Sequence, residues 1–226
     1  TCYLSTGILI FETNSVVNEG NVIQDNQVGV YISGTNNTIS KDRIFGSEYG
    51  VGIDGDENLV DSNKIYNNQH GIWITGDENL VTRNEIKNNT VVDTGVHITS
   101  TAENNKIYYN KFIDNAPQAI DDEVSKSNKW DDGTRGNYWS DCRKNEGYPD
   151  YYLILGSAGN RDNHPDCPMI AIAKAWAKDG DLIRLNITGQ IFSSEDFTNL
   201  RIYSSLILID RFRRSSTLSG IAIVTI

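Results

Sequence analysis

Residues 50–69 and 71–90 read GVGIDGDENLVDSNKIYNNQ and GIWITGDENLVTRNEIKNNT, two copies of one pattern. Each copy opens with a glycine and alternating apolar residues, passes through a GDEN turn and a Leu-Val pair, and ends on Asn-x-Ile. A period of two is typical of β-strands, and isoleucine and valine favour strands. The stretch therefore predicts short strands separated by polar turns.

The same pattern extends along the chain in both directions. Strand-opening positions recur every 21–24 residues, at Gly7, Gly29, Gly50, Gly71, Gly95 and, without the glycine, Ala119. A repeat of this length, with no helical segment and no Leu-x-Leu pattern, is typical of a solenoid. We predict an all-β fold, a right-handed parallel β-helix of about six coils, followed by a C-terminal β-rich segment.

Stacked coils place equivalent residues in columns. The pattern predicts an inward apolar column of Ile32, Ile53, Ile74 and Ile98. It also predicts an asparagine ladder of Asn21, Asn63, Asn84 and Asn110, with Asp42 in its gap. A side-chain amide can donate to one coil and accept from another, so such a column satisfies buried backbone. We interpret these columns as determinants of the fold.

The stretch NKWDDGTRGNYWSDC, residues 128–142, combines aromatic residues with an Asp/Gly cluster. We interpret it as a lid on the open end of the core, in which Asn128 and Trp130 continue the Asn-x-Ile columns. This predicts that Trp130 and at least one of Tyr138 and Trp139 are buried. The alternative is a glycan or calcium site.

These patterns divide the chain into three predicted regions. We predict parallel β-helix coils over residues 1–127 and a capping module over residues 128–169. After Pro168 the composition changes, and residues 170–226 are predicted to begin a second β-helix or to form an end cap. The Ala-rich start of this region fits a short helix or a strand, and GIAIVTI at its end predicts a strand.

The repeat, with GNYWSD and the Gly/Asp-rich loop after it, resembles the NosD-like parallel β-helix repeats, of the carbohydrate-binding and sugar-hydrolase type. This chain has Cys142 at a position that is usually aromatic, and its Asp/Gly loop is sparser. The resemblance implies an extracellular or cell-surface protein that is structural or glycan-binding, within an ordered surface assembly. The family name suggests copper, but three histidines and one methionine without a cluster disfavour it.

An outward column on the first strand of each coil holds the candidate glycan contacts. An exposed tryptophan offers a flat face to a sugar ring, and neighbouring polar groups can bond hydroxyls. The candidates are Tyr31, Trp73, His97 and Asp121. The alternatives are an ordinary stacked surface and a carbohydrate-active enzyme, a lyase or hydrolase, which we disfavour.

Two further kinds of site are predicted from spacing. Asp54, Asp56 and Asn58 have the spacing of oxygen-ligand loops, and Asp77 aligns with Asp56, which makes calcium a candidate and a solvated turn the alternative. The sequons at Asn36, Asn88 and Asn186 are candidate glycosylation sites and point to an extracellular setting.

The charge and the cysteine content of the chain limit the functional classes that remain. The net charge of −10 argues against nucleic-acid binding, and no apolar run is long enough to span a membrane. Cys142 and Cys167 flank a Gly/Asp/Pro-rich segment and are a candidate disulfide; the alternative is three thiols. Polysaccharide and self-association are the partners we expect.

Overall fold

The computed structural model describes residues 5–89 and 94–167, together with the backbone of two strands at residues 182–188 and 219–225. The chain separates into two units, residues 1–167 and 168–226. They are described separately below.

The first unit is built from three parallel sheets that run side by side along a solenoid. Sheet A contains β1 (Thr6–Ile10), β4 (Val28–Ile32), β7 (Tyr49–Ile53), β10 (His70–Ile74), β13 (Val96–Ile98) and β16 (Ala119–Asp121). Sheet B contains β2 (Val16–Asn18), β5 (Thr38–Ser40), β8 (Leu59–Asp61), β11 (Leu80–Thr82) and β14 (Lys106–Tyr108). Sheet C contains β3 (Val22–Gln24), β6 (Arg43–Phe45), β9 (Lys64–Tyr66), β12 (Glu85–Lys87), β15 (Lys111–Ile113) and β17 (Tyr138–Trp139).

Each coil contributes one strand to each sheet, so neighbours in a sheet come from successive coils. Five coils are complete. A sixth contributes β16 and β17 but meets sheet B only at a single bridge between Lys106 and Lys129. The predicted parallel β-helix is therefore confirmed.

The core is a set of aliphatic columns inside the coils. Ile32, Ile53, Ile74 and Ile98 lie in register along sheet A and are at most 1% exposed, as predicted. The strand-opening glycines allow the coils to approach each other. A Cβ added at Gly50 would lie 2.6 Å from the carbonyl oxygen of Gly71, so a larger residue would push the coils apart.

The asparagine ladder is confirmed at the corner between sheets B and C. The backbone N–H of Asn63 donates to Oδ1 of Asn84 at 2.8 Å, and that of Asn84 donates to Oδ1 of Asn110 at 3.0 Å. Asp42 fills the gap, because its Oδ1 accepts from the backbone N–H of Asn21 at 2.8 Å. Each backbone N–H of this ladder thus finds its acceptor on the next coil.

Two more ladders, not predicted, run along the other corners. One joins sheets A and B through Asn37, Asn58, Asn79, Asn105 and Asn128. The other joins sheets C and A through Ser47, Asn68, Asn89 and Asn115. All three corners of the solenoid therefore depend on the same kind of buried polar column.

Residues 128–139 continue the solenoid as its sixth coil. The burial prediction is confirmed, because Trp130 is 1% and Trp139 0% exposed. The column prediction was wrong: Asn128 extends the ladder between sheets A and B, whereas Asn137 and Trp139 follow Asn110 and Phe112 as the next Asn-x-Ile pair. The chain makes two corners here, and each carries its own Asn-x-Trp.

The segment after the sixth coil covers the end of the core. The rings of Phe112, Trp139 and Tyr152 stack with centroid separations of 4.3 and 3.9 Å. A 3₁₀ turn (Cys142–Lys144) and an antiparallel pair, β18 (Tyr152–Leu153) with β19 (Arg161–Asp162), complete this region. Cys142 and Cys167 form a disulfide, the predicted pairing.

The second unit is described by two strands. β20 (Leu182–Thr188) pairs antiparallel with β21 (Ser219–Thr225), and the latter covers most of the GIAIVTI segment predicted to be a strand. The predicted helix or strand at the start of this region lies outside the described residues.

Candidate functional site

Aromatic and imidazole rings gather on the outside of sheet A. We call this set the aromatic face: Tyr31, Tyr49, His70, Trp73 and His97. Tyr49 stacks on His70 with centroids 4.5 Å apart, and the ring of Trp73 meets both of them edge-on. Trp73 and His97 are register partners on adjacent coils, with centroids 4.3 Å apart. Tyr31, Tyr49, Trp73 and His97 are partly exposed, whereas His70 is buried against Tyr49 and Trp73.

Gly52, the register partner of Trp73 on the preceding coil, is partly covered by another ring. A Cβ at Gly52 would lie 3.1 Å from a ring carbon of Tyr31, so the Tyr31 ring lies over the glycine. The Tyr31 hydroxyl donates to Oδ2 of Asp54 at 3.1 Å. Partial burial, followed by this bond, raises the pKa of Tyr31, so its hydroxyl stays protonated at neutral pH.

The other end of the face carries an imidazole and carboxylate pair. Nε2 of His97 lies 3.0 Å from Oδ2 of Asp122. The Asp122 carboxylate also accepts the backbone N–H of Ser157 at 3.0 Å, and this bond, followed by the one from His97, lowers the pKa of Asp122. Asp122 is thus an anion that orients His97.

The placement of Asp121 on this face was wrong. His97 pairs with Ile120, and Asp121 pairs with the inward Ile98 and is 0% exposed. The residue equivalent to Gly95 is Gln118 and not Ala119, which moves the sixth coil by one position. A one-residue shift in a strand sends every side chain to the opposite side, so Asp122 and not Asp121 is the carboxylate beside His97.

Sequence reasoning missed Asp122, and it also missed the structural role of two buried acids. Asp121 accepts the indole N–H of Trp130 at 2.9 Å and the Asn160 amide at 2.9 Å. Asp162 accepts the indole N–H of Trp139 at 2.9 Å and the backbone N–H of Asn137 at 2.7 Å. The two carboxylates therefore end two of the ladders. In the sequence, the only indication of this role was that each ladder needs a final acceptor.

Burial of Asp162 affects its titration. Removal from water raises the pKa of Asp162 to about 6, although the N–H donors of Asn137, Trp139 and His164 favour its ionised form. Gly136 makes room for this carboxylate, because a Cβ there would lie 1.8 Å from Oδ1 of Asp162.

The four candidate calcium ligands are not brought together. Asn58 is buried in a corner ladder, where its Oδ1 accepts from Asn37. Oδ1 of Asp56 accepts the backbone N–H of Asp77 at 2.8 Å, and Oδ1 of Asp54 accepts the Thr75 hydroxyl at 2.7 Å. These oxygens bind the next coil, and the described residues contain no cluster of three or more acidic, histidine or cysteine side chains suited to a metal.

The sequons differ in their settings. Asn36 and Asn88 are exposed at corners, and the Asn36 amide donates to Oδ1 of Asn14 at 2.6 Å. Asn186 lies in β20, and its side chain is outside the described part of the chain.

The stacked parallel coils, the asparagine ladders and the disulfide-linked aromatic end define a parallel β-helix solenoid. A family model described as "Periplasmic copper-binding protein (NosD)" matches residues 2–143. This match covers more than half of the chain, and the protein belongs to the NosD family.

A shorter similarity is found to a curated protein. A stretch of 60 residues is 38% identical to the "Probable ABC transporter binding protein NosD" of Stutzerimonas stutzeri. The stretch amounts to 25% of this chain but only 14% of that relative. No solved structure matches the chain. Among the described residues, no helix is long and apolar enough to cross a membrane.

The described side chains do not fit the copper centre that the family description implies. Imidazole, thiolate and thioether groups are the usual copper ligands. Here His97 bonds Asp122, His164 lies 3.3 Å from Asp131, and Cys142 is joined to Cys167. Cys2 and Met169 lie outside the described residues. No step of function is therefore derived through copper.

Proposed function

We propose that this protein is a non-enzymatic, structural β-helix module that binds glycan on the aromatic face. The observation that carries the proposal is the row of partly exposed rings on successive coils, with Tyr31 and His97 held at its ends by Asp54 and Asp122. Rings of this kind stack on the apolar faces of sugars, and oriented polar groups bond their hydroxyls.

The same proposal places the protein outside the cytoplasm, in the periplasm or at the cell surface. The disulfide between Cys142 and Cys167 supports this, because such bonds persist in oxidising compartments. The family is described as periplasmic, which supports the proposal as well.

Binding is tested with a panel of neutral and acidic oligosaccharides, followed by calorimetry on any ligand found. Trp73→Ala should weaken binding about tenfold, which corresponds to about 1.4 kcal/mol. The matched control is Tyr66→Ala, since Tyr66 is a partly exposed aromatic of sheet C that stacks on Phe45, and it should leave the affinity unchanged. A parent protein that binds none of the panel refutes the glycan proposal.

Self-association into an ordered assembly is the second candidate. Within the described residues β1, β2 and β3 are the end strands of their sheets, and Val16 and Val22 of this coil are 61% and 49% exposed. Strand edges with exposed apolar side chains can pair with further strands, which a second copy of this chain would supply. Sedimentation over a range of concentrations should show oligomers, and a monomer at the highest concentration contradicts assembly.

A further inference from the structure

A groove of about 650 Å³ lies where sheet B ends, well within the size range of small-ligand sites. It exists because β14 is the last strand of sheet B, and the sixth coil meets it only at Lys129. The covering segment contributes Gly159, Asn160, Arg161 and Asn163 to the lining, and the end of the coil wall contributes the rest.

Four cationic side chains line this groove, although the chain carries a net charge of −10. They are Lys106, Lys126, Lys129 and Arg161, and all are exposed. Lys106 and Lys129 are bridge partners on adjacent coils. Like charges placed directly opposite each other in a sheet destabilise it, so this pair is a local concentration of positive charge that the fold does not require.

The four cations of the groove outnumber its two carboxylates, Asp131 and Asp132, neither of which forms an ion pair with the described lysines. Asp131 accepts bonds from the backbone N–H groups of Gly133 and Asn163. Asp132 accepts bonds from Tyr109, Thr134 and Arg135. Within the described residues, none of the three lysines forms an ion pair, whereas Arg161 lies over the ring of Tyr151 at 4.6 Å.

We propose that this groove binds an acidic saccharide, a linear chain whose sugars carry carboxylates or sulfates. Lys106 and Lys129 repeat at the coil spacing of about 4.8 Å, which suits a ligand with regularly spaced anions. The lining also includes the hydroxyl of Tyr108 and the amide of Asn163, which can bond sugar hydroxyls. The ring of Trp130 is only 1% exposed, so it offers no stacking surface in the groove.

This site is separate from the aromatic face, and the two proposals stand independently. The groove lies at the end of sheet B, whereas the aromatic face lies on sheet A. Trp73→Ala should therefore leave binding in the groove unchanged.

The test is calorimetric titration of the full chain with a galacturonic acid tetramer, a sulfated tetrasaccharide, a neutral tetrasaccharide and poly-glutamate. The double variant Lys106→Gln, Lys129→Gln should lower affinity for the acidic sugars at least tenfold. The matched control is Lys64→Gln, Lys111→Gln, which removes the same charge from exposed positions of sheet C and should change affinity less than twofold.

The outcomes separate the alternatives. Binding of either acidic sugar, lost in the groove variant and kept in the control, supports the proposal, and the two sugars distinguish carboxylate from sulfate. Equal losses in both variants mean a diffuse charge effect and overturn the site. Equal affinity for poly-glutamate shows that the groove does not select a saccharide, and equal affinity for the neutral sugar shows that charge plays no part. If neither acidic sugar binds, the proposal is overturned. Relief of lysine repulsion should leave the unfolding midpoint of the groove variant unchanged or raised, which excludes misfolding.

Discussion

Substitution of one ladder residue, Asn84→Ala, should destabilise the solenoid far more than its size suggests. Oδ1 of Asn84 is the acceptor for the buried backbone N–H of Asn63 at 2.8 Å. Its Nδ2 donates to the carbonyls of Val60 at 2.8 Å and Thr82 at 2.9 Å. Alanine removes these three bonds and two more, with the side-chain amides of Asn63 and Asn110 at 3.0 Å, although those two amides keep other partners. It provides no path for water into a site that is 1% exposed.

The loss in unfolding free energy follows from the hydrogen bonds that each former partner of Asn84 keeps in the variant. The Asn63 N–H is left buried without an acceptor, which costs about 1–3 kcal/mol. The Thr82 carbonyl still accepts from Ser62, so each lost amide donation costs only the net value of about 1 kcal/mol. The total is about 3–5 kcal/mol, a large fraction of the stability of an ordinary domain.

The assay is chemical denaturation of the oxidised protein, with hydrogen exchange at the Asn63 amide as a local probe. Lys64→Ala is the control, because Lys64 is an exposed neighbour on the same corner, and it should change stability by less than about 0.5 kcal/mol. If Asn84→Ala costs less than about 1 kcal/mol and the Asn63 amide stays protected, the ladder does not satisfy the corner in the way argued here.

Three further perturbations follow from the ladders and the cap. Asp42→Asn should raise the unfolding free energy by about 1 kcal/mol, because Oδ2 of Asp42 is buried without a hydrogen-bond partner; a loss of stability contradicts this. Replacing Cys142 and Cys167 with serine should cost about 3–4 kcal/mol from the unfolded-chain entropy of a loop of about 25 residues; an unchanged denaturation midpoint refutes it. The pKa of Asp162 is raised from 3.8 to about 6, so the folded state binds the proton more tightly. Its contribution to stability is therefore greatest below pH 3.8 and is lost as pH rises to about 6, by at most about 3 kcal/mol. Asp162→Asn should flatten this part of the stability profile, and an identical profile in the variant is the contrary result.

The strict repeat explains how much of the fold could be predicted. Between Gly29 and Gly71 each coil has 21 residues, so residues such as Ile53 and Asn84 fall into columns by counting alone. Gly95 is followed by Gln118 at the equivalent position, a spacing of 23 residues, and counting then placed Asp121 on the wrong side. Periodicity predicts a site only where the coil length stays constant or a glycine marks the next strand, as Gly95 does for His97.

The candidate site could be predicted only in part, because some of its contacts depend on coil register and ring packing. Tyr31, Trp73 and His97 were correctly placed in one column of sheet A, but the contribution of Tyr49 and His70 depends on ring packing between coils. Asp122 reaches His97 only after the register of the sixth coil is known.

The sequence by itself determined the solenoid, its apolar columns and one asparagine ladder, because each coil repeats the same local pattern and stacking is the simplest way to bury it. Tertiary structure alone decided how the ladders end. Asp121 comes from the shortened sixth coil and Asp162 from the covering segment, and they meet Trp130 and Trp139 through bonds between residues 9 and 23 positions apart. The last coil has no successor to satisfy its polar groups, and only the folded chain shows which side chains replace one.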